Sequence, residues 1–117
     1  MNLRSFPEDS ERLASVTSLD LKGNHLRGIP GVIGNFSGLK ELKVENNELI
    51  SISPMIGNIV SLLVVMLDNN LLSELPATFG SLTLLQRLSL MDNQLSELPS
   101  CVKSLTRLRR LNVENNS

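Results

Sequence analysis

Aliphatic residues return along this chain at a fixed interval of 23 residues. LKELKVENNELISI at 39–52 is followed by LLVVMLDNNLLSEL at 62–75 and LQRLSLMDNQLSEL at 85–98. Inside each stretch an apolar–polar alternation of period 2 (LKV, VML, LSL, and LNV at 111–113) predicts a short strand with one face inward. The inward columns are Leu19, Leu42, Val65, Leu88, Leu111 and then Leu21, Val44, Leu67, Leu90, Val113. Leu26, Leu49, Leu72 and Leu95 follow, then Ile29, Ile52, Leu75 and Leu98.

The second half of each unit carries Pro30, Ser53, Pro76 or Pro99 near its start, and Gly34, Gly57 or Gly80 in its middle, a column that Lys103 breaks. Proline and glycine there predict extended chain or a short 3-10 turn rather than a full helix. Its aliphatic columns are Ile33, Ile56, Phe79, Val102 and Phe36, Ile59, Leu82, Leu105. The full units are 16–38, 39–61, 62–84 and 85–107. Residues 1–15 read as a partial unit or an N-terminal cap, and 108–117 as a truncated unit, all within one domain, 1–117. In the first segment Met1, Leu3, Phe6, Pro7 and Leu13 fall in repeat columns, and Ser5 with Glu8 has the spacing of a capping box. The chain ends just after a strand and its Asn, which leaves Leu98, Val102, Leu105, Leu111 and Val113 expected to be uncovered. The expectation is either a fragment of a longer protein or an open end that meets a partner or a second copy.

The pattern Leu-x-x-φ-x-φ-x-x-Asn-x-Leu at this period resembles the leucine-rich repeat family, over essentially residues 3–116. NQLSELPSCVKSL resembles its intracellular Leu-Pro subclass, found in Ras-pathway scaffolds, whereas NHLRGIPGVIGNFSGL leans toward plant receptor repeats. The resemblance implies an α/β solenoid: a short right-handed arc with a concave parallel sheet of about five short strands and a convex side of extended and 3-10 turns. A single unit buries too few aliphatics, at ~1.5–3 kcal/mol each, to offset its ordering entropy. Stacking makes the core continuous.

Asn24, Asn47, Asn70, Asn93 and Asn116 occupy one column. A buried amide donates and accepts at once, so stacked Asn side chains are expected to pair backbone groups that each turn removes from water. The residues between buried strand positions face out of the concave side. Among them Val64, Met66 and Met91 form an apolar centre aimed at solvent, with Glu41, Lys43, Glu45, Asp68, Arg87 and Arg110 as a charged rim. That is the anatomy of a protein-binding hot spot. Asp20 beside Lys43, and Lys22 beside Glu45, are expected as opposite pairs across strands. Glu45 beside Asp68 and Arg87 beside Arg110 are like pairs, suited to a partner basic at the first and acidic at the second.

Composition narrows the function further. Eleven Lys and Arg against twelve Asp and Glu give a net charge of −1, and aromatics are 3% with no Trp or Tyr. Neither nucleic acid nor an anionic membrane is expected as partner; the one basic run, Arg107–Arg110, reads as a solvated face. No apolar run approaches the roughly 20 residues of a membrane span. MNLRSFPEDSER lacks the form of a secretory signal, and Cys101 is the sole cysteine, which favours a reducing, cytoplasmic setting. His25 is the sole histidine and has no companion ligands in the pattern, so no metal, cofactor or catalytic role is expected. Asn35-Phe36-Ser37 and Asn115-Asn116-Ser117 match the glycosylation acceptor pattern. The reading is a non-catalytic protein-binding scaffold or adaptor. Its rivals are a ligand-binding fragment of an extracellular repeat receptor and a recognition segment of a larger enzyme or ligase.

Overall fold

In the computed structural model, Phe6 and residues 13–116 are described. Met1, Leu3 and Pro7 of the partial unit, and the expected Ser5–Glu8 capping box, lie outside them.

One parallel sheet runs the length of the molecule. Its strands are β1 (Ser18–Asp20), β3 (Glu41–Lys43), β5 (Val64–Met66), β6 (Arg87–Ser89) and β7 (Arg110–Asn112), in that spatial order. Register follows the repeat: Leu19 pairs with Leu42, Leu42 with Val65, Val65 with Leu88, and Leu88 with Leu111. A slip of one residue would turn every aliphatic outward, so burial itself fixes this register.

After each strand the chain turns back along the opposite side of its coil. There it forms 3-10 helices η2 (Gly31–Asn35), η3 (Pro54–Asn58), η4 (Ala77–Ser81) and η5 (Ser100–Ser104); η1 (Leu13–Ser15) precedes them. The choice of 3-10 over α follows from spacing. Ile33, Phe36 and Leu39 are three apart, as are Phe79, Leu82 and Leu85. Three residues per turn stack such side chains on one inward line. The hydrogen bonds keep the same step: Phe36 N–H donates to Ile33 O at 3.1 Å and Leu39 N–H to Phe36 O at 3.0 Å. All six of these side chains are fully buried. The flat coils stack into a slab of 39 × 30 × 19 Å.

Two features depart from the sequence reading. A second, two-stranded sheet joins β2 (Gly28–Ile29) to β4 (Ser51–Ile52). Each strand holds a single inward residue, Ile29 or Ile52, so no alternation could announce it. Leu105, expected to be uncovered, is only 4% exposed. It closes η5, where its N–H donates to Val102 O at 3.0 Å, and its side chain joins the common core. Val102 is partly buried against that core, whereas Leu98, Leu111 and Val113 are exposed.

The stacked 3-10 helices approach closely enough to demand glycine at one point. A Cβ added to Gly57 would lie 2.6 Å from the Thr78 backbone oxygen and 2.8 Å from Thr78 Cβ. Backbone cannot swing aside as a side-chain tip can. Gly57→Ala is expected to cost about 1–3 kcal/mol, read as a lower urea midpoint with an unchanged slope. An unaltered midpoint would mean η3 and η4 are not in this contact.

Candidate functional site

The concave face is held in shape by a column of amides. Asn47 Nδ2 donates to Leu21 O, Val44 O and Glu45 O at 2.9, 3.0 and 3.2 Å. Its Oδ1 accepts from the N–H groups of Asn24 and Leu26, both at 2.9 Å. Asn70 and Asn93 repeat the three-carbonyl pattern one coil further on, and their Oδ1 atoms accept from Leu49 N and Leu72 N. Asn116 does the same on Leu90, Val113, Glu114 and Leu95, and Asn24 donates to Leu21 O. Asn47, Asn70, Asn93 and Asn116 each tie their own coil to the previous one. The backbone at the ends of the inner strands thus keeps its hydrogen bonds away from water, whereas those at the last strand are exposed.

Beside that column runs one the sequence reading did not interpret. Gly23, Asn46, Asn69, Asp92 and Asn115 all have φ between 56 and 70°. Glycine, asparagine and aspartate are the residues that tolerate the left-handed region. Their recurrence was the available signal for this turn. His25 adopts φ 59° as well. It is exposed, with Nδ1 2.9 Å from Glu48 Oε2.

The outward residues form three rows across the coils. The upstream row is Ser18, Glu41, Val64, Arg87, Arg110, as the strand register shows directly. The middle row contains Lys43, Met66 and Ser89, and the downstream row Glu45, Asp68 and Met91. Val64 and Met66 lie on β5 and Met91 on the next coil, all half-buried rather than fully displayed. Ser89 is not on display: it is 6% exposed, and its hydroxyl donates to Asp68 Oδ1. The same oxygen accepts from Met91 N–H at 2.9 Å, so Asp68 is locked to the next coil.

The ion pairs also differ from expectation. Lys43 Nζ sits 3.2 Å from Glu41 Oε1 and Lys22 Nζ 3.7 Å from Asp20 Oδ2, along strands rather than across them. Residues two apart on a strand share a face, and a long lysine reaches its strand neighbour without spanning to the next coil. The hydrogen bond that Lys43 donates to Glu41 does most to raise the Lys43 pKa, and the Asp20 charge adds to it.

Glu45 is the least settled group on the face. Its Oε1 is shut off from solvent and has no hydrogen-bond partner. Burial, above all, pushes its carboxyl pKa up, and the neighbouring Asp68 charge adds to this against the pull of Lys22. The folded state therefore holds this proton more tightly than the unfolded chain. That contribution to stability is complete below the unfolded carboxyl range and is lost as pH rises through the elevated value. Glu45→Gln is expected to raise Tm near neutral pH and to leave it unchanged in acid. An equal shift at both pH values would contradict the assignment.

Arg87 and Arg110 are in direct register and both exposed. Together with Gln86 and Arg109 they border a depression of about 230 Å³ next to Val64. Among the described residues no group of three or more His, Cys, Asp or Glu is placed to hold a metal, and no helix is long and apolar enough to cross a membrane. Cys101 is buried in η5, and burial pushes its thiol pKa up, away from nucleophilic use.

Comparison with known proteins agrees with this geometry. A Leucine Rich Repeat family profile matches residues 15–36. A leucine-rich-repeat protein of Leptospira interrogans is similar at 31% identity, with a TM-score of 0.83 over 98% of this chain and 35% of that one. An internalin (inlF) from Listeria monocytogenes is similar at 28% identity, with a TM-score of 0.80 over 90% of this chain and 30% of that one. The chain spans about a third of the length of these solved structures. No curated relative matches it. The matching repeat and these structural likenesses support the leucine-rich-repeat family, and the parallel sheet backed by 3-10 turns is the fold of a leucine-rich-repeat solenoid arc.

Proposed function

We propose that this chain is a non-catalytic module that binds a protein partner through its concave face, as a scaffold or adaptor. The observation that carries the reading is the placement of half-buried Val64 and Met66 on β5 next to half-buried Met91 on the following coil. They form an apolar centre with charge around it, on a surface that the asparagine column holds rigid. Rigid presentation lowers the ordering cost of association, and methionine adapts its shape to a contact. The rim is Glu41, Lys43, Glu45, Asp68, Arg87 and Arg110. The lone, buried Cys101 and the Leu-Pro steps at Leu75-Pro76 and Leu98-Pro99 support a cytoplasmic protein of the Leu-Pro subclass.

Replacing Met66 and Met91 together by Glu places two charges in the centre while the buried strand residues stay as they are. Affinity-captured partners of the parent are expected to be lost by this variant, by roughly tenfold or more in affinity, with an unchanged circular dichroism spectrum. Capture of the same partners at the same strength would remove the concave centre from the reading.

One observation favours a second reading, a ligand-binding segment of an extracellular repeat receptor. Asn35, in the acceptor pattern Asn35-Phe36-Ser37, is exposed at the end of η2. Glycan found on Asn35 of the natural protein would select this reading, and its absence from protein isolated from a secretory compartment would reject it.

A further inference from the structure

Charge on the concave face is split along a diagonal. The basic pole is Arg87 and Arg110 on β6 and β7, joined by Arg109, around the depression beside Val64. None of these guanidinium groups has a carboxylate within ion-pair distance among the described residues. The acidic pole is Glu45 and Asp68, just past β3 and β5. No Lys or Arg occurs between Lys43 and Arg87. The apolar centre lies between the poles.

Each pole carries an unmet demand. Like charges in register repel, at a cost that an incoming anion removes. At the other end, the Glu45 and Asp68 charges repel across adjacent coils, and an incoming cation removes that cost. The offset between poles is the same for Glu45 to Arg87 as for Asp68 to Arg110: two coils across and four residues back. At ~4.8 Å per strand and ~3.3 Å per residue, that is a diagonal of about 16 Å, or about five residues of extended chain.

Resting on the concave-face reading above, we infer that the partner presents an extended segment of split charge. One or two acidic residues seat between Arg87, Arg109 and Arg110. An aliphatic residue covers Val64 and Met66, and a Lys or Arg about five residues from the acid donates to Glu45 beside Asp68. A nucleic-acid strand fits the basic pole less well. The pole spans only two coils, Glu45 and Asp68 stand across the face from it, and no aromatic side chain offers a stacking surface.

The test pans the full chain against a displayed library of random peptides about seven residues long, which covers the diagonal. The strongest binder is then synthesised and measured by fluorescence anisotropy against the parent, Arg87→Glu/Arg110→Glu and Met66→Glu/Met91→Glu. A single-stranded oligonucleotide serves as a separate probe. Expected are enriched sequences with an acid and a base about five residues apart around an aliphatic residue. Binding should weaken at least about tenfold in the arginine variant and fall as salt is raised from ~0.01 M to ~1 M. Peptides lost only on Met66→Glu/Met91→Glu would leave the concave reading standing and overturn the split-charge segment. Peptides indifferent to both variants, or no enrichment, would overturn both. An oligonucleotide that binds more tightly than the peptide, and is released by the arginine variant, would replace the segment with a nucleic-acid partner.

Discussion

Asn70→Ala is expected to destabilise the fold by about 1–3 kcal/mol, the cost of leaving one buried backbone N–H unpaired. The side chain is 4% exposed and makes four hydrogen bonds that bridge two coils: to Val44 O, Leu67 O and Asp68 O, and from Leu49 N. Alanine leaves Leu49 N–H without its acceptor, whereas Val44 O keeps Asn47 Nδ2, Leu67 O keeps Asn93 Nδ2 and Asp68 O keeps the Asn46 N–H. Total stabilities of about 5–15 kcal/mol are usual for a single domain, so one truncation removes a large share. Asn70→Asp separates shape from chemistry. Aspartate keeps the acceptor for Leu49 N–H but loses the donors for three carbonyls and brings a charge to desolvate. It is expected to be at least as damaging as alanine at neutral pH. Asn116→Ala should cost less, since Asn116 and two of the carbonyls it serves are partly exposed. Urea unfolding of the three variants checks the order, and a neutral Asn70→Ala would show that the column does not carry the turns.

Phe79→Ala is expected to cost about 3–5 kcal/mol. Phe79 has no exposed surface and sits on the inner side of η4, between the stacked η3 and η5. The coils on either side place Ile56 and Val102 in the same column, smaller residues that cannot fill the space it vacates. Phe79→Leu keeps most of the volume and should cost under about 1.5 kcal/mol. The same unfolding experiment tests both. Similar losses for Ala and Leu would mean the convex layer is loosely packed, contrary to the buried 3-10 line described above.

Much of this architecture was legible because it repeats. Leu42, Val65 and Leu88 share a column in the sequence and are partners in the sheet, since a translation of 23 residues in the chain is a translation of one strand in space. The asparagine column was readable for the same reason, and so was the 3-10 side, through its recurring proline and glycine. What escaped was whatever depended on side-chain reach or on single positions. Ser89 occupies an outward row by pattern but turns its hydroxyl to Asp68, a choice set by one carboxylate on the preceding coil. Lys43 pairs with Glu41 rather than Asp20 because of side-chain length, which alternation does not encode. The left-handed turns were written plainly in Gly23, Asn46, Asn69, Asp92 and Asn115, but they mark backbone conformation, not burial. Sequence brought the apolar concave centre to light. Its half-burial came only with the structure.

Native-state amide hydrogen exchange tests most directly whether each coil is clamped to its neighbour by the asparagine column. The account predicts slow exchange at Leu49 N–H and Leu72 N–H, the amides held by Asn70 and Asn93. Protection should recur at the 23-residue period of the chain, and Asn70→Ala should release Leu49 first. Protection in unbroken runs of ten or more residues, as in an α-helix, or fast exchange at both leucines, would contradict it.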